Sequence, residues 1–279
     1  MPVHRPGPIR PRRLFLAALL LTVFSLLHSG PASAAEAPEA EATATPARGS
    51  AHMGMGVVAH DGQGGLPTDT RAAQSEGVDV ASYQGNVSWP TLWNSGVRWA
   101  YTKASEGTYY TNPYFSRQYG GSYDVGMIRG AYHFATPDTT SGTTQADYFV
   151  DHGGDWSRDG KTLPGALDIE WNPYGDACFG KTQNGMVTWI RDFLNQYKAR
   201  TGRNAVIYTA TSWWTQCTGN YGGFSASPLW IARYASTAGT LPAGWSSYTM
   251  WQYTSTGPTV GDHNRFNGAL DRVQTLANG

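Results

Sequence analysis

Two acids one residue apart, Asp168 and Glu170 in the run Leu167-Asp168-Ile169-Glu170, are the side chains best placed to do chemistry. Pro164-Gly165 ahead and Asn172-Pro173 behind bound a short apolar run, the pattern of a β-strand whose side chains alternate faces. Asp168 and Glu170 then point the same way, with Cα atoms ~6.5 Å apart at about 3.3 Å per residue. Crowding two acids at a strand end pushes their pKa values apart, which suits one as proton donor and the other as charge stabiliser. From Gly77 onward the only other glutamate is Glu106. Spacing alone equally allows a structural pair that caps a loop or meets arginines.

The elements that must position this pair alternate short apolar strands with longer segments. Strands are predicted over 77–81, 97–103, 127–134, 166–170 and 205–209, then over 228–232 and 249–253. Helices are predicted over 113–124, near 142–152 and over 182–200, where Met186, Trp189, Ile190, Phe193 and Tyr197 fall at helical spacing. Five β/α units followed by a run of strands read as an α/β, TIM-like modified barrel, whose strand ends and loops build the site. Asp79, His133, Glu170 and Gln252 then fall at or near strand ends.

Residues 1–34 read as an export signal: Arg5, Arg10, Arg12 and Arg13 precede an apolar run from Leu14 to Leu27, and Ala32-Ser33-Ala34 offers a cleavage site. Arg12-Arg13-Leu14-Phe15-Leu16 also suits the twin-arginine route. Residues 35–75 lack aromatics and periodicity, and read as a disordered leader or linker, or alternatively a pro-segment. Residues 76–279 then form a single catalytic domain. Without the signal the chain carries 16 basic and 20 acidic groups, net −4, with no basic run, which argues against nucleic acid as a partner. No membrane association is expected after signal removal.

All 11 Trp and 16 Tyr follow residue 76, a density that suits both a core and a sugar-lined cleft. Cys178 and Cys217, in an exported chain, are expected to pair as a disulfide. No adjacent His or Asn pattern supports a catalytic thiol, and no metal or cofactor is expected.

Five motifs follow one another in order. They are Gly77-Val78-Asp79-Val80-Ala81-Ser82-Tyr83-Gln84-Gly85, Tyr101-Thr102-Lys103-Ala104-Ser105-Glu106-Gly107, Gly130-Ala131-Tyr132-His133-Phe134, Leu167-Asp168-Ile169-Glu170, and Asp262-His263-Asn264-Arg265-Phe266-Asn267-Gly268. Together they resemble the glycoside hydrolase family 25 lysozymes, the Chalaropsis-type muramidases, across residues 76–279. The resemblance implies a (β/α)5(β)3 barrel and hydrolysis of the β-1,4 bond between N-acetylmuramic acid and N-acetylglucosamine in peptidoglycan by a secreted monomer. It implies Glu170 as general acid/base, Asp168 as its partner, and Asp79 and Asp262 as the other active-site carboxylates. Tyr132 is the candidate hydroxyl near the reacting sugar, and Tyr101, Trp171 and Trp251 are candidates to line the cleft. His133 is expected to be structural, and Lys103 and Glu106 to pair with each other. Trp171, directly after the acid, departs from relatives that carry His there. Two rivals remain at this level. A chitinase-like glycosidase would carry Asp-x-x-Asp-x-Asp-x-Glu, but Ala166 stands where its middle Asp would fall. A non-catalytic wall-binding module would keep the aromatics but has no use for four carboxylates.

Overall fold

In the computed structural model, which describes residues 45–67 and 74–279, the apolar runs form one closed sheet. In chain order the strands are β1 (Ser75–Val80), β2 (Trp99–Glu106), β3 (Tyr110–Thr111), β4 (Ile128–Phe134), β5 (Ala166–Asp168), β6 (Val206–Thr209), β7 (Leu229–Ala232), β8 (Met250–Thr254) and β9 (Asp262–Phe266). The helices are α1 (Val57–Asp61), α2 (Trp89–Asn94), α3 (Phe115–Asp124), α4 (Gly142–Phe149), α5 (Gln183–Thr201), α6 (Thr211–Thr218) and α7 (Leu270–Asn278).

β3 is a short antiparallel flap on β2. The other eight strands close a barrel in which β1, β2, β4, β5, β6, β7 and β8 run parallel. β9 runs antiparallel to both β8 and β1 and seals the seam. Helices α2 to α6 follow the first five barrel strands and no helix separates the last three, so the expected (β/α)5(β)3 architecture is the one observed. The strand expected over 166–170 pairs formally to Asp168, although the Ile169 N–H still donates to the Tyr208 carbonyl at 3.0 Å. The segments α2, α6 and β9 had no periodicity strong enough to announce them, being short or, in β9, polar on the inward face, whereas α7 is amphipathic, with Val273 and Ala277 buried, and was missed all the same.

α5 forms as its sequence requires. Thr182 caps it by accepting the Gly185 N–H at 3.2 Å, and Gly202 ends it in the left-handed conformation (φ 74°). Its buried face carries Met186, Trp189, Ile190, Phe193 and Tyr197 against the sheet.

Strand alternation sorts the side chains. On β1, Val78 and Val80 face outward onto Trp89 and Leu92 of α2, while Gly77 and Asp79 face inward. Trp99, Tyr101, Trp230 and Phe266 fill the lower barrel with ring centroids 4.8–6.3 Å apart. The lumen is so tight that a Cβ on Gly77 would lie 2.2 Å from the Trp99 ring, and one on Gly130 2.4 Å from Tyr101. Both glycines therefore make room for a large ring from the neighbouring strand.

The Cys178–Cys217 disulfide ties the loop after β5 to α6, closing a sequence separation of 39. That loop carries Trp171 and Tyr174 over the barrel mouth. Replacing both cysteines by serine is expected to lower the unfolding free energy by about 3 kcal/mol, as checked by urea denaturation beside the parent.

Candidate active site

Four buried carboxyl groups meet at one end of the barrel. Asp79 is the penultimate residue of β1, Asp168 the last of β5, and Glu170 lies two residues further on. Asp262 is the first residue of β9 and pairs in register with Asp79. Because β9 runs antiparallel, its beginning lies at the end where the parallel strands finish. The four are between 0 and 6% exposed.

Neutral donors hold them. Asn264 Nδ2 donates to Asp79 Oδ2 at 2.7 Å and Gln252 Nε2 donates to the same oxygen at 2.9 Å. Gln252 also reaches Asp262 Oδ2 at 3.4 Å. Its own carbonyl oxygen accepts the hydroxyls of Tyr208 at 2.6 Å and Tyr234 at 2.9 Å, which fixes the amide orientation. Trp230 donates its indole N–H to Asn264 Oδ1 at 2.8 Å and orients that amide in turn. Asp168 differs from these, since neither oxygen has a hydrogen-bond partner among the described residues, and Glu170 Oε2 has none either.

Burial disfavours the ionised form of each acid. It pushes Glu170 up to about 8, against the opposing pull of the Gly54 and Gly56 N–H groups, and Asp79 up to about 7, against Asn264 and Gln252. Asp168 is raised by burial and by the adjacent Glu170 charge, with Lys103 opposing. Asp262 is raised by burial and by Asp79 and Glu170. These acids titrate as a coupled set, so the site holds protons at neutral pH that isolated carboxylates would have lost.

Among the expected binding residues, Tyr132 lies beside the acids and its hydroxyl accepts the Met53 N–H at 3.4 Å. Trp171 lies at the mouth, stacked under His60 at 3.9 Å. Tyr101 and Trp251 do not reach the cleft. The Tyr101 hydroxyl donates to the Pro164 carbonyl at 2.8 Å, ahead of β5, so the ring fills the lower core. Trp251 neighbours the inward Gln252 and must face outward; it packs with Leu229 and Ile231 and donates to the Arg233 carbonyl at 2.8 Å. His133 is held between Ser105 at 2.9 Å and Gln145 at 3.0 Å behind the sheet, where burial lowers it to about 4. Lys103 and Glu106 form a fully buried ion pair at 2.6 Å inside β2. Tyr208, Tyr234 and Asn264 were not singled out from sequence. Tyr208 shares the inward phase of its strand, a signal that was there to be read, whereas Tyr234 lies in a loop with none.

Residues 45–67 lie across the mouth. Ala51, Met53 and Val57 are buried against the barrel although the segment has no periodicity of its own. The Gly54 N–H donates to Glu170 Oε1 at 2.5 Å, and the Gly49 N–H to Glu106 Oε1 at 2.9 Å. Lys103 Nζ donates to the Gly49 carbonyl at 3.2 Å and to that of Ala51.

A (β/α)5(β)3 barrel with a cluster of protonatable acids at its mouth defines a glycoside hydrolase. Residues 78–262 match glycosyl hydrolases family 25, and the chain belongs to that family. It is 44% identical to Lysozyme M1 of Streptomyces globisporus over 96% of this chain and 95% of that one. It is 46% identical to an N,O-diacetylmuramidase of Chalaropsis sp over 73% of this chain and 99% of the relative. Among solved structures, a muramidase from Acremonium alcalophilum superposes with a TM-score of 0.72 at 53% identity, covering 73% of this chain and 99% of that one.

The raised pKa values set the sign of the pH dependence. Between about pH 4 and pH 8 these acids hold protons in the folded chain that the unfolded chain has lost, so their contribution to stability falls as pH rises, opposed below about pH 6.5 by His133, which burial keeps neutral. Urea denaturation is expected to give an unfolding free energy more than about 1 kcal/mol lower at pH 8 than at pH 5, and Glu170→Gln is expected to flatten part of that slope.

Proposed function

We propose that the protein is a secreted muramidase that cuts the β-1,4 bond between N-acetylmuramic acid and N-acetylglucosamine in peptidoglycan. The observation that carries this reading is the adjacent pair of buried acids, with no amide or hydroxyl donor on Asp168 and Glu170 held up to about 8. Glu170 in its protonated form donates to the leaving glycosidic oxygen and, deprotonated, activates the incoming water. Among the described residues Asp168 meets only the Glu170 carboxyl and the more distant charge of Lys103, which leaves it able to take a further donor. A sugar acetamide N–H, or the positive charge that develops at the anomeric centre, supplies it. Asp79, held by amides rather than a cation, raises Glu170 further when it ionises and so keeps a proton on the Glu170 side.

Asp168 as the acetamide's partner favours substrate assistance, in which the acetamido oxygen attacks the anomeric carbon and configuration is retained. Tyr132 is placed to contact the same sugar and Trp171 to stack on a neighbouring one. The names of the relatives, lysozyme and N,O-diacetylmuramidase, support the substrate class. The disulfide supports an extracellular site of action.

Glu170→Gln is expected to lower the turnover of purified peptidoglycan by about 10²–10⁴-fold. The assay is mass spectrometry of the released muropeptides, which should carry muramic acid at the new reducing end; a glucosamine end would refute the assignment. Proton NMR of the first-formed product should show the β-anomer, and the α-anomer would exclude the acetamido route.

A further inference from the structure

Glu170, Tyr132 and Trp171 are all contacted by one stretch of the same chain. We propose that residues 48–61 are an autoinhibitory plug in the substrate cleft, and that cutting the exposed stretch Gly62–Leu66 releases the plug and switches the enzyme on. This rests on the muramidase reading above.

The fit is made by backbone as well as side chains. Gly54 sits against the acid, donating its N–H to Glu170 Oε1 at 2.5 Å, with the Tyr234 hydroxyl 3.5 Å from its carbonyl. With Gly54 against Glu170 and Met53 buried beside it, the segment fills the space over the acid that a sugar would need, so plug and sugar exclude each other. Upstream, the Lys103–Glu106 pair grips the backbone at both polarities. Lys103 donates to the carbonyls of Gly49 and Ala51, and Glu106 accepts the Gly49 N–H. Arg48 anchors the far end on Asp138 at 2.7 Å, with its guanidinium 4.7 Å over the Tyr174 ring. Downstream, His60 lies flat on Trp171, as a pyranose ring would on a stacking platform.

The composition of the segment matches the cleft. A Cβ on Gly54 would come within 2.1 Å of the Tyr234 hydroxyl and 2.5 Å of Gln252 Oε1. A Cβ on Gly56 would come within 2.4 Å of the Trp171 Cβ. Only glycine passes these two points, while Met53 and Val57 beside them are completely buried. A relative matched over 99% of its length accounts for only 73% of this chain, whereas Lysozyme M1 aligns over 96% of it.

Beyond Asp61 the chain loses its grip. Gly62-Gln63-Gly64-Gly65-Leu66 is exposed throughout, with Leu66 64% exposed, and its one backbone bond to the barrel is from the Gly64 N–H to the Tyr234 carbonyl. An endopeptidase that adds water across one peptide bond there leaves a carboxylate and an amine and changes nothing in the barrel. While tethered, the plug competes at a high effective concentration; once cut, it is diluted away.

The test uses the whole chain with a site for a sequence-specific protease in place of Gly62–Leu66. Muropeptide release from peptidoglycan is measured before and after cutting and dilution. At least a tenfold rise is expected on cutting. Gly54→Leu in the uncut parent should give a comparable rise, because the plug can no longer seat. Intrinsic tryptophan fluorescence should change with plug release in both cases, because His60 leaves the face of Trp171. A synthetic peptide spanning residues 45–61, added back to the cut enzyme, should restore inhibition. Equal and substantial rates for the parent, the cut chain and Gly54→Leu would overturn the plug while leaving the muramidase reading standing. Inactivity of all three, with fluorescence reporting that the plug has left, would overturn both.

Discussion

The cost of holding four carboxyl groups in a lumen lined by aromatic rings governs the architecture of the barrel mouth. Like charges at such spacing in a poorly polar space cannot all ionise, so the site must be neutralised or share protons. Guanidinium or ammonium partners would fix every acid as a carboxylate and leave no proton to donate. The barrel uses amides instead: Gln252 and Asn264 satisfy Asp79 without neutralising it, and Tyr208, Tyr234 and Trp230 satisfy the amides. The one buried cation nearby, Lys103, is matched at 2.6 Å by Glu106, which limits how strongly it can pin Asp168 in the charged state. A lone lysine in that position would abolish the acid's function, so the pair belongs to the electrostatics of the mouth as well as to β2.

Packing underneath has its own constraint. The lower lumen is filled by Trp99, Tyr101 and Trp230, and the positions paired with two of them on the neighbouring strands must lack side chains, hence Gly77 and Gly130. The high aromatic content of the chain, which suits a sugar cleft, is therefore largely consumed by interior filling. Trp99, Trp213, Trp214, Trp230 and Trp251 are all fully buried.

Much of this was legible in the sequence because it is periodic. The alternation that places Asp168 and Glu170 on one face, and the helical face of α5, survive in the structure because both are set by local geometry. The misassignments were failures of phase or depth. Tyr101 shares the inward phase but lies too low in the barrel, and Trp251 lies one residue out of phase with Gln252. Strand β9 was hidden because its inward residues, Asp262 and Asn264, are polar for the sake of the site. The packing of residues 45–67 was hidden for another reason. That segment has no apolar face of its own and finds burial only on a surface the barrel provides, a property of two distant stretches that neither displays alone.

The reversed direction of β9 has a consequence for how the molecule comes into being. Asp262 and Asn264 complete the acid cluster only when β9 has paired with its sequence neighbour β8 and with β1, the strand farthest from it in the chain. Closure of the barrel and assembly of the chemical centre are therefore one event, reached only after nearly all of the chain has left the ribosome. A partly made or truncated polypeptide has neither a sealed sheet nor a working set of acids. An agent able to dissolve a cell wall thus acquires its cutting edge at the last step of its own folding, a timing built into strand order.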